Sequence, residues 1–216
     1  MMVPCGTKMG NLLTAPRTGT RAGDHRLRLM EGMAAAVNEK GYAATTIGDI
    51  VRHSRVSKRT FYEHFADREA CFLACYAYGG ELALRAVAEA AGRGGPWPQR
   101  VRAATRAYLA ALQARPELTR TLLVEVHGAG SRALALRRAV LQRFARLLCE
   151  LVETGRRDHP ELRELTPAMS TALVGGINEL VLATVEQGGA DRLDQLEETI
   201  AGLVGSVLRP DGPTSA

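Results

Sequence analysis

The chain has 216 residues, 46% hydrophobic and 24% charged: a length for one medium domain or a small domain joined to a larger one, and a composition that excludes largely disordered, collagen-like and low-complexity chains. Its formal net charge of +5 lies wholly in residues 1 to 65, where ten lysines and arginines face five acids, whereas beyond them eighteen bases balance eighteen acids. A basic front end on a neutral body points to a polyanion partner for the front and another task for the body, with a merely solubilising basic surface as the other reading.

The first 23 residues mix Gly, Pro, Thr and basic residues without apolar periodicity and are expected to form a flexible basic arm, whose Arg17 and Arg21 could enter a minor groove or only thicken the positive field. From Asp24, a candidate N-cap, Leu27, Met30, Ala34 and Val37 recur at helical spacing until Gly41 stops the helix. Thr45-Thr46 can cap a short second helix ending near His53-Ser54, with Asp49 in its first turn. Arg55-Val56 make a tight turn, and Ser57 can cap a third helix to His64. Two short helices about a short turn are the pattern of a helix-turn-helix. Asp67 then caps a helix reaching about Ala91, ended by Gly92-Arg93-Gly94-Gly95-Pro96.

Everything beyond is helical in pattern. Pro98 suits the first turn of a helix to Ala114, and Pro116 that of a helix through Leu118, Leu122 and Val126. Ser131 can cap a long helix to about Arg157, Thr166-Pro167 opens another through Val185, and residues 191 to 208 form the last. With no strand pattern and no repeat, the expectation is an all-α protein of about nine helices, divided into an arm (1–23), a helix-turn-helix domain (24–70) and a helical body (71–216).

A helix that fits the major groove needs polar or basic residues at its N-terminal end and apolar anchors on its other face. Ser57 to Phe65 supplies both: Lys58 and Arg59 can offer donors to guanine edges, Thr60 can touch a thymine methyl or a phosphate, and Phe61 and Phe65 face inward. Thr46 and Arg68 stand where helix ends can contact phosphate. Residues 41 to 69 read GYAATTIGDIVRHSRVSKRTFYEHFADRE, which resembles the tetracycline-repressor (TetR) family of bacterial transcription regulators. The resemblance spans roughly residues 24 to 75 and departs from the family at Arg68, usually Lys, and at Arg59, often a small residue. It implies that Tyr62 and His64 face backbone phosphates, that the partner is a double-stranded DNA operator, and that the C-terminal body binds an apolar or amphipathic small-molecule effector and dimerises through its last two long helices.

For the dimer the sequence offers Leu173, Ile177 and Leu180 on one helix and Leu196, Ile200 and Leu203 on the last, with Gly175-Gly176 permitting close approach; an intrachain core is the other reading. For an effector pocket it offers Glu125, an acid on the Leu118–Leu122 stripe, with His127 after it; an Arg partner at the stripe's edge is the alternative for Glu125. Tyr108, Phe72, Tyr76, Phe144 and Trp97 are candidate walls, or plain core. Cys71 and Cys75, one turn apart, suit buried packing better than a redox or metal pair.

No catalytic set, metal site or cofactor is expected, since P-loop, GxGxxG, GxSxG and HExxH patterns are all absent. No stretch reaches the roughly 18 to 20 uninterrupted apolar residues of a membrane span, the first residues lack a secretory h-region, and four cysteines do not make a disulfide scaffold. The expectation is a cytoplasmic, soluble regulator, with a nonspecific nucleoid-binding or protein-interaction helix-turn-helix protein as the alternative.

Overall fold

The computed structural model describes residues 21–209. These form nine α-helices: α1 (Arg21–Ala44), α2 (Ile47–Ser54), α3 (Lys58–His64), α4 (Arg68–Ala91), α5 (Trp97–Gln113), α6 (Pro116–Leu123), α7 (Ser131–Gly155), α8 (Pro167–Glu186) and α9 (Glu197–Leu208). The described residues contain no strand. The expected groove contact of Arg17 lies outside them. Helix α1 begins three residues before Asp24, which sits in its first turn, where the helix dipole favours an acid, instead of capping it.

The local signals in the first third act largely as read. Gly41 has φ +80°, so the continuous run of α1 stops at Lys40 and the next residues form a separate turn. Thr46 and Asp49 form a reciprocal capping box on α2: the Asp49 N–H donates to Thr46 Oγ1 (3.3 Å) and the Thr46 N–H to Asp49 Oδ2 (2.9 Å). Ser57 Oγ accepts from the Thr60 N–H (3.0 Å), and Asp67 Oδ1 from the Ala70 N–H (2.7 Å).

Three expected boundaries differ. Helix α6 ends at Leu123, and residues Glu125–Gly128 tighten into a 3-10 turn. Ser131 is the first residue of α7, capped only by the backbone of Gly130 at φ +93°. The expected last helix is two pieces, a 3-10 segment Ala190–Leu196 and then α9. There the Gln113 amide donates to Asp191 O (2.9 Å) and Asp194 Oδ1 (3.0 Å), bonds that hold the segment against α5 outside a regular helical ladder.

Helices α1, α2 and α3 close over Leu29, Met33, Ile50, Phe61 and Phe65, all buried. Helix α4 continues that core into the body, where α5, α7, α8 and α9 enclose it. A second apolar cluster joins Trp97, Val152, Leu165, Leu173, Val204 and Leu208. At the crossing of α1 and α2 the backbones nearly touch: a Cβ on Gly32 would lie 2.7 Å from Ile50 O and 2.9 Å from Ser54 N.

Cys71 and Cys75 are fully buried where α4 crosses α1, and the Cys75 thiol donates to Met30 O (3.4 Å). Burial raises both thiols above their ordinary value, Cys75 to about 12, and the thiolate is the reactive form. Iodoacetamide at pH 8 should therefore leave both unmodified in the native protein and alkylate both in denaturant, as read by peptide mass spectrometry. Among the described residues no three His, Cys, Asp or Glu side chains converge to hold a metal.

Candidate DNA interface and effector cavity

Helix α3 presents one side to solvent and anchors the other. Phe61 is fully buried, with its ring 5.8 Å from that of Phe65, whereas Lys58, Arg59 and Glu63 are exposed and Tyr62 is 58% exposed. A large aromatic left that open beside two cations suits contact with a partner better than packing. Thr60 is half-buried, and Ser57 is the cap that starts the helix. The turn before it depends on Arg55, held at φ +53°, ψ +40° with its side chain exposed.

Much of the basic excess works inside the head. Arg28 donates to the carbonyls of Ser54 (2.7 Å) and Arg55 (3.1 Å), satisfying the C-terminal end of α2. Arg26 donates to His64 O (3.3 Å) and lies over the Phe65 ring. Lys40 pairs with Asp49 (2.7 Å), holding that carboxyl well below the usual range together with Thr46. These arginine roles were invisible to a count of charges.

Of the expected phosphate contacts, Arg68 is placed differently. Arg68 points its guanidinium inward, donating to the carbonyls of Tyr42 (3.0 Å), Ala43 (3.3 Å) and Thr45 (2.5 Å) and lying 4.4 Å from the Tyr42 ring centre. It clamps the turn between α1 and α2. His64 is half-buried, and burial with the neighbouring Arg26 and His25 holds its imidazole below its ordinary value, which favours the neutral ring. Thr46 is exposed at the start of α2 while serving as its cap.

In the body a cavity of about 150 Å³ opens among α4, α5, α7, α8 and α9, with α6 closing one end. It follows α5 from Trp97 to Leu112, a helical rise of about 22 Å. Tyr76, Tyr108, Phe144 and Trp97 line it. Phe72 does not: it is fully buried in the head core against Tyr42, ring centres 4.5 Å apart. The lining holds one charged residue, Arg100, and no acid. A second hollow of about 290 Å³ lies between α1, α4 and the start of α6, but Glu31, Arg115 and Glu117 give it a charged lining suited to water.

Glu125 and His127 are outside the cavity. His127 is exposed. Glu125 Oε2 accepts the Tyr42 N–H at 2.8 Å, bridging 83 residues of sequence from body to head, and its other oxygen lies 3.7 Å from Arg120. The acid on the apolar stripe thus faces the α1 turn, because α6 ends at Leu123 and Glu125 opens the 3-10 turn. Leu122 and Leu123, two and three residues earlier, form part of the cavity wall.

The expected dimer residues divide. Leu173 and Ile200 are buried in their own chain and Ile177 lines the cavity, so these three serve the intrachain core. Leu180, Leu196 and Leu203 are half-exposed. The face that α8 and α9 leave open is made instead of small residues, among them Ala172, Gly175, Gly176, Gly202 and Ser206. Helix α8 is long and apolar enough to cross a membrane by length and composition, with a third of it buried, and it packs chiefly on α7.

Residues 29–75, the head and the first turns of α4, match the bacterial regulatory proteins of the tetR family. Over those residues the chain carries the tetR-family head. It is accordingly a DNA-binding transcription regulator. Solved structures similar to it over most of its length include the fatty acid degradation regulator FadR from Bacillus halodurans (TM-score 0.76, 16% identity, covering 87% of this chain and 97% of that one). FadR from Bacillus subtilis in complex with stearoyl-CoA is similar at a TM-score of 0.73 and 12% identity, covering 85% and 99%. A TetR family regulator from Marinobacter aquaeolei VT8 has a TM-score of 0.67 and 19% identity, covering 88% and 98%. No curated protein matches the chain.

Proposed function

We propose that this chain is a cytoplasmic, homodimeric repressor that leaves a pseudo-palindromic operator when a long, apolar small molecule enters the cavity along α5. The observation that carries this reading is the continuity of one segment: Leu122 and Leu123 wall the cavity, and Glu125, directly after them, holds the Tyr42 N–H of the head. An occupant that displaces α6 pulls on the turn that Arg68 clamps and from which α2 starts. The apolar lining fits a hydrocarbon body, and the similar Bacillus subtilis protein was solved with stearoyl-CoA.

On DNA, Lys58 and Arg59 read base edges, with Thr60 beside them, while Tyr62 and the start of α2 at Thr46 meet the backbone. Two heads must reach successive major grooves about 34 to 36 Å apart, which requires a dimer. The open small-residue face of α8 and α9 allows close helix approach between two chains. Glutamate at Gly175 and Gly202 together tests this face. Neither Cβ meets anything within 4 Å, so the fold should survive, while like charges held in a desolvated interface should weaken dimerisation by about 100-fold or more. Light scattering would then show a monomer where the unaltered chain is a dimer.

The test of the whole reading is selection of DNA fragments from the source genome by the purified protein, followed by anisotropy titration of the enriched sequence against a scrambled duplex at several salt concentrations. Enrichment of one pseudo-palindrome, with discrimination of about a thousandfold, supports a specific regulator. Equal, salt-steep binding to both duplexes overturns it in favour of nonspecific nucleic-acid binding.

A further inference from the structure

Four neutral polar side chains interrupt the apolar wall of the cavity: Tyr76 on α4, Thr105 and Tyr108 on α5, and Asn178 on α8. Tyr76, Thr105 and Asn178 are 5%, 7% and 8% exposed, yet among the described residues none of the four makes a side-chain hydrogen bond. Their polar atoms are not sealed within the packing and keep surface where these side chains line the cavity. Thr121, Thr154 and Thr184 donate to the carbonyl four residues earlier, the usual rest position of a helical threonine, whereas Thr105 does not. Burial pushes the Tyr108 phenol up to about 12, and burial with the nearby Tyr108 raises Tyr76 against the opposing charge of Arg137, so both phenols keep their protons and act as donors. Polar groups this buried and without partners ask for an explanation. Their place along the cavity supplies one. Thr105 stands eight residues after Trp97 and seven before Leu112, with Tyr108 one turn on. Val101 and Leu148, packed with Trp97, make one side of the belt hydrocarbon, and Leu112 and Leu122 do the same on the side of α6. The charge of Arg100 is at the Trp97 end, about 7.5 Å along α5 from Thr105, with its Nε–H donating to Ala91 O (2.9 Å) and its guanidinium carbon 5.5 Å from the Trp97 ring centre.

We propose that the effector is an uncharged aromatic compound whose ketone or hydroxyl oxygen lies between two rings, bound with that oxygen among Tyr76, Thr105, Tyr108 and Asn178; this rests on the reading of the cavity as the effector site. The phenols and the Asn178 amide N–H donate to a ketone, and the Asn178 amide oxygen accepts from a hydroxyl. One ring lies toward Val101 and Leu148 and the other toward Leu112 and Leu122, beside the edge-to-face pair of Tyr108 and Phe144, whose ring centres are 5.8 Å apart. A compound whose only oxygen is at one end leaves the belt unpaired, and a charged one brings its charge into a belt that offers only neutral dipoles. Because the site is built to bond an oxygen in mid-molecule, it rejects the analogue that lacks it. The ring beyond the oxygen abuts Leu122, three residues before Glu125, so filling that end is what loads α6.

Three probes test the class on the full-length protein by calorimetry: benzophenone, with a ketone between two rings; diphenylmethane, which has a methylene in its place; and 4-benzoylbenzoate, which adds a carboxylate. Near-ultraviolet light inserts bound benzophenone into neighbouring C–H bonds, so peptide mass spectrometry locates it. Benzophenone should bind at least about tenfold tighter than diphenylmethane, although the latter is the more hydrophobic, and at least about tenfold tighter than 4-benzoylbenzoate. The label should fall on peptides of α4, α5 and α8. Thr105→Val, Tyr108→Phe and Asn178→Leu should each weaken benzophenone by about three- to tenfold and leave diphenylmethane unchanged. None should lower Tm, since the native chain loses no hydrogen bond by these changes. Equal binding of benzophenone and diphenylmethane, 4-benzoylbenzoate binding as tightly as benzophenone, or variants that weaken ketone and hydrocarbon alike would overturn the assigned class; with the label in the cavity, the effector site itself stands. If none of the three binds, or the label falls only outside the cavity, both readings fall.

Discussion

Alanine at Gly32 should abolish specific DNA binding while the helical body stays folded. The Cβ would stand 2.7 Å from Ile50 O, 2.8 Å from Ser54 Cβ and 2.9 Å from Ser54 N, and two of those three atoms are backbone that no rotamer change can withdraw. Helix α2 must therefore move off α1, straining the Arg28 bonds to Ser54 and Arg55, and α3 moves with it, because only the short turn at residues 55–57 separates the two helices. Overpacking of this kind costs about 1 to 3 kcal/mol where side chains can adjust; with backbone as the obstacle the upper end is expected. A loss of about 100-fold or more in operator affinity follows, with far-UV circular dichroism nearly unchanged and Trp97 emission unaltered. Gly48→Ala is the matched control, since its Cβ would meet only Thr46 Oγ1 at 3.4 Å. Equal behaviour of the two variants would show that the α1–α2 contact does not position the recognition helix.

Gly32 also marks where sequence reading stops. The caps Thr46, Ser57 and Asp67 were legible because each acts on a backbone amide three residues away, a relation written in the chain itself. The exposed side of α3 followed from the same local logic, with Phe61 and Phe65 four residues apart defining the buried side. What was not legible depends on partners distant in sequence. Nothing near Arg68 announces that its guanidinium turns back to three carbonyls about 25 residues earlier, and nothing near Gly32 announces a neighbour at Ser54. On α8 the difficulty was of another kind: the helix is apolar nearly all round, so periodicity could not separate its core side from its open side, and the large residues assigned outward, Leu173 and Ile177, face inward. Glu125 reads in the sequence as an acid on an apolar stripe, but the helix that carries the stripe ends at Leu123, and the partner of Glu125 is a backbone amide of the head.

That partner makes Glu125→Ala the most informative variant of the body. In the proposed mechanism the effector acts through differential affinity for two head positions, and coupling of this sort amounts to about 1 to 3 kcal/mol, or 5- to 150-fold in DNA affinity. The Glu125 carboxylate is the only side chain in the segment Glu125–Gly128 that bonds the α1 turn among the described residues. Without it, displacement of Leu122 and Leu123 reaches the head only through looser packing of α6 on α1. The variant should bind effector as before, because Glu125 is not in the cavity wall, and should still bind operator, yet effector should shift its DNA affinity by less than about threefold. Glu125→Gln keeps an oxygen for the Tyr42 N–H and should retain most of the response, which separates the hydrogen bond from the charge beside Arg120. The Tyr42 amide left without its acceptor costs about 1 to 3 kcal/mol of stability in the alanine variant alone, measurable as a lowered Tm. Anisotropy titrations of both variants with and without effector decide the matter: a full response in Glu125→Ala would place the coupling route elsewhere in the contact between α1 and α6.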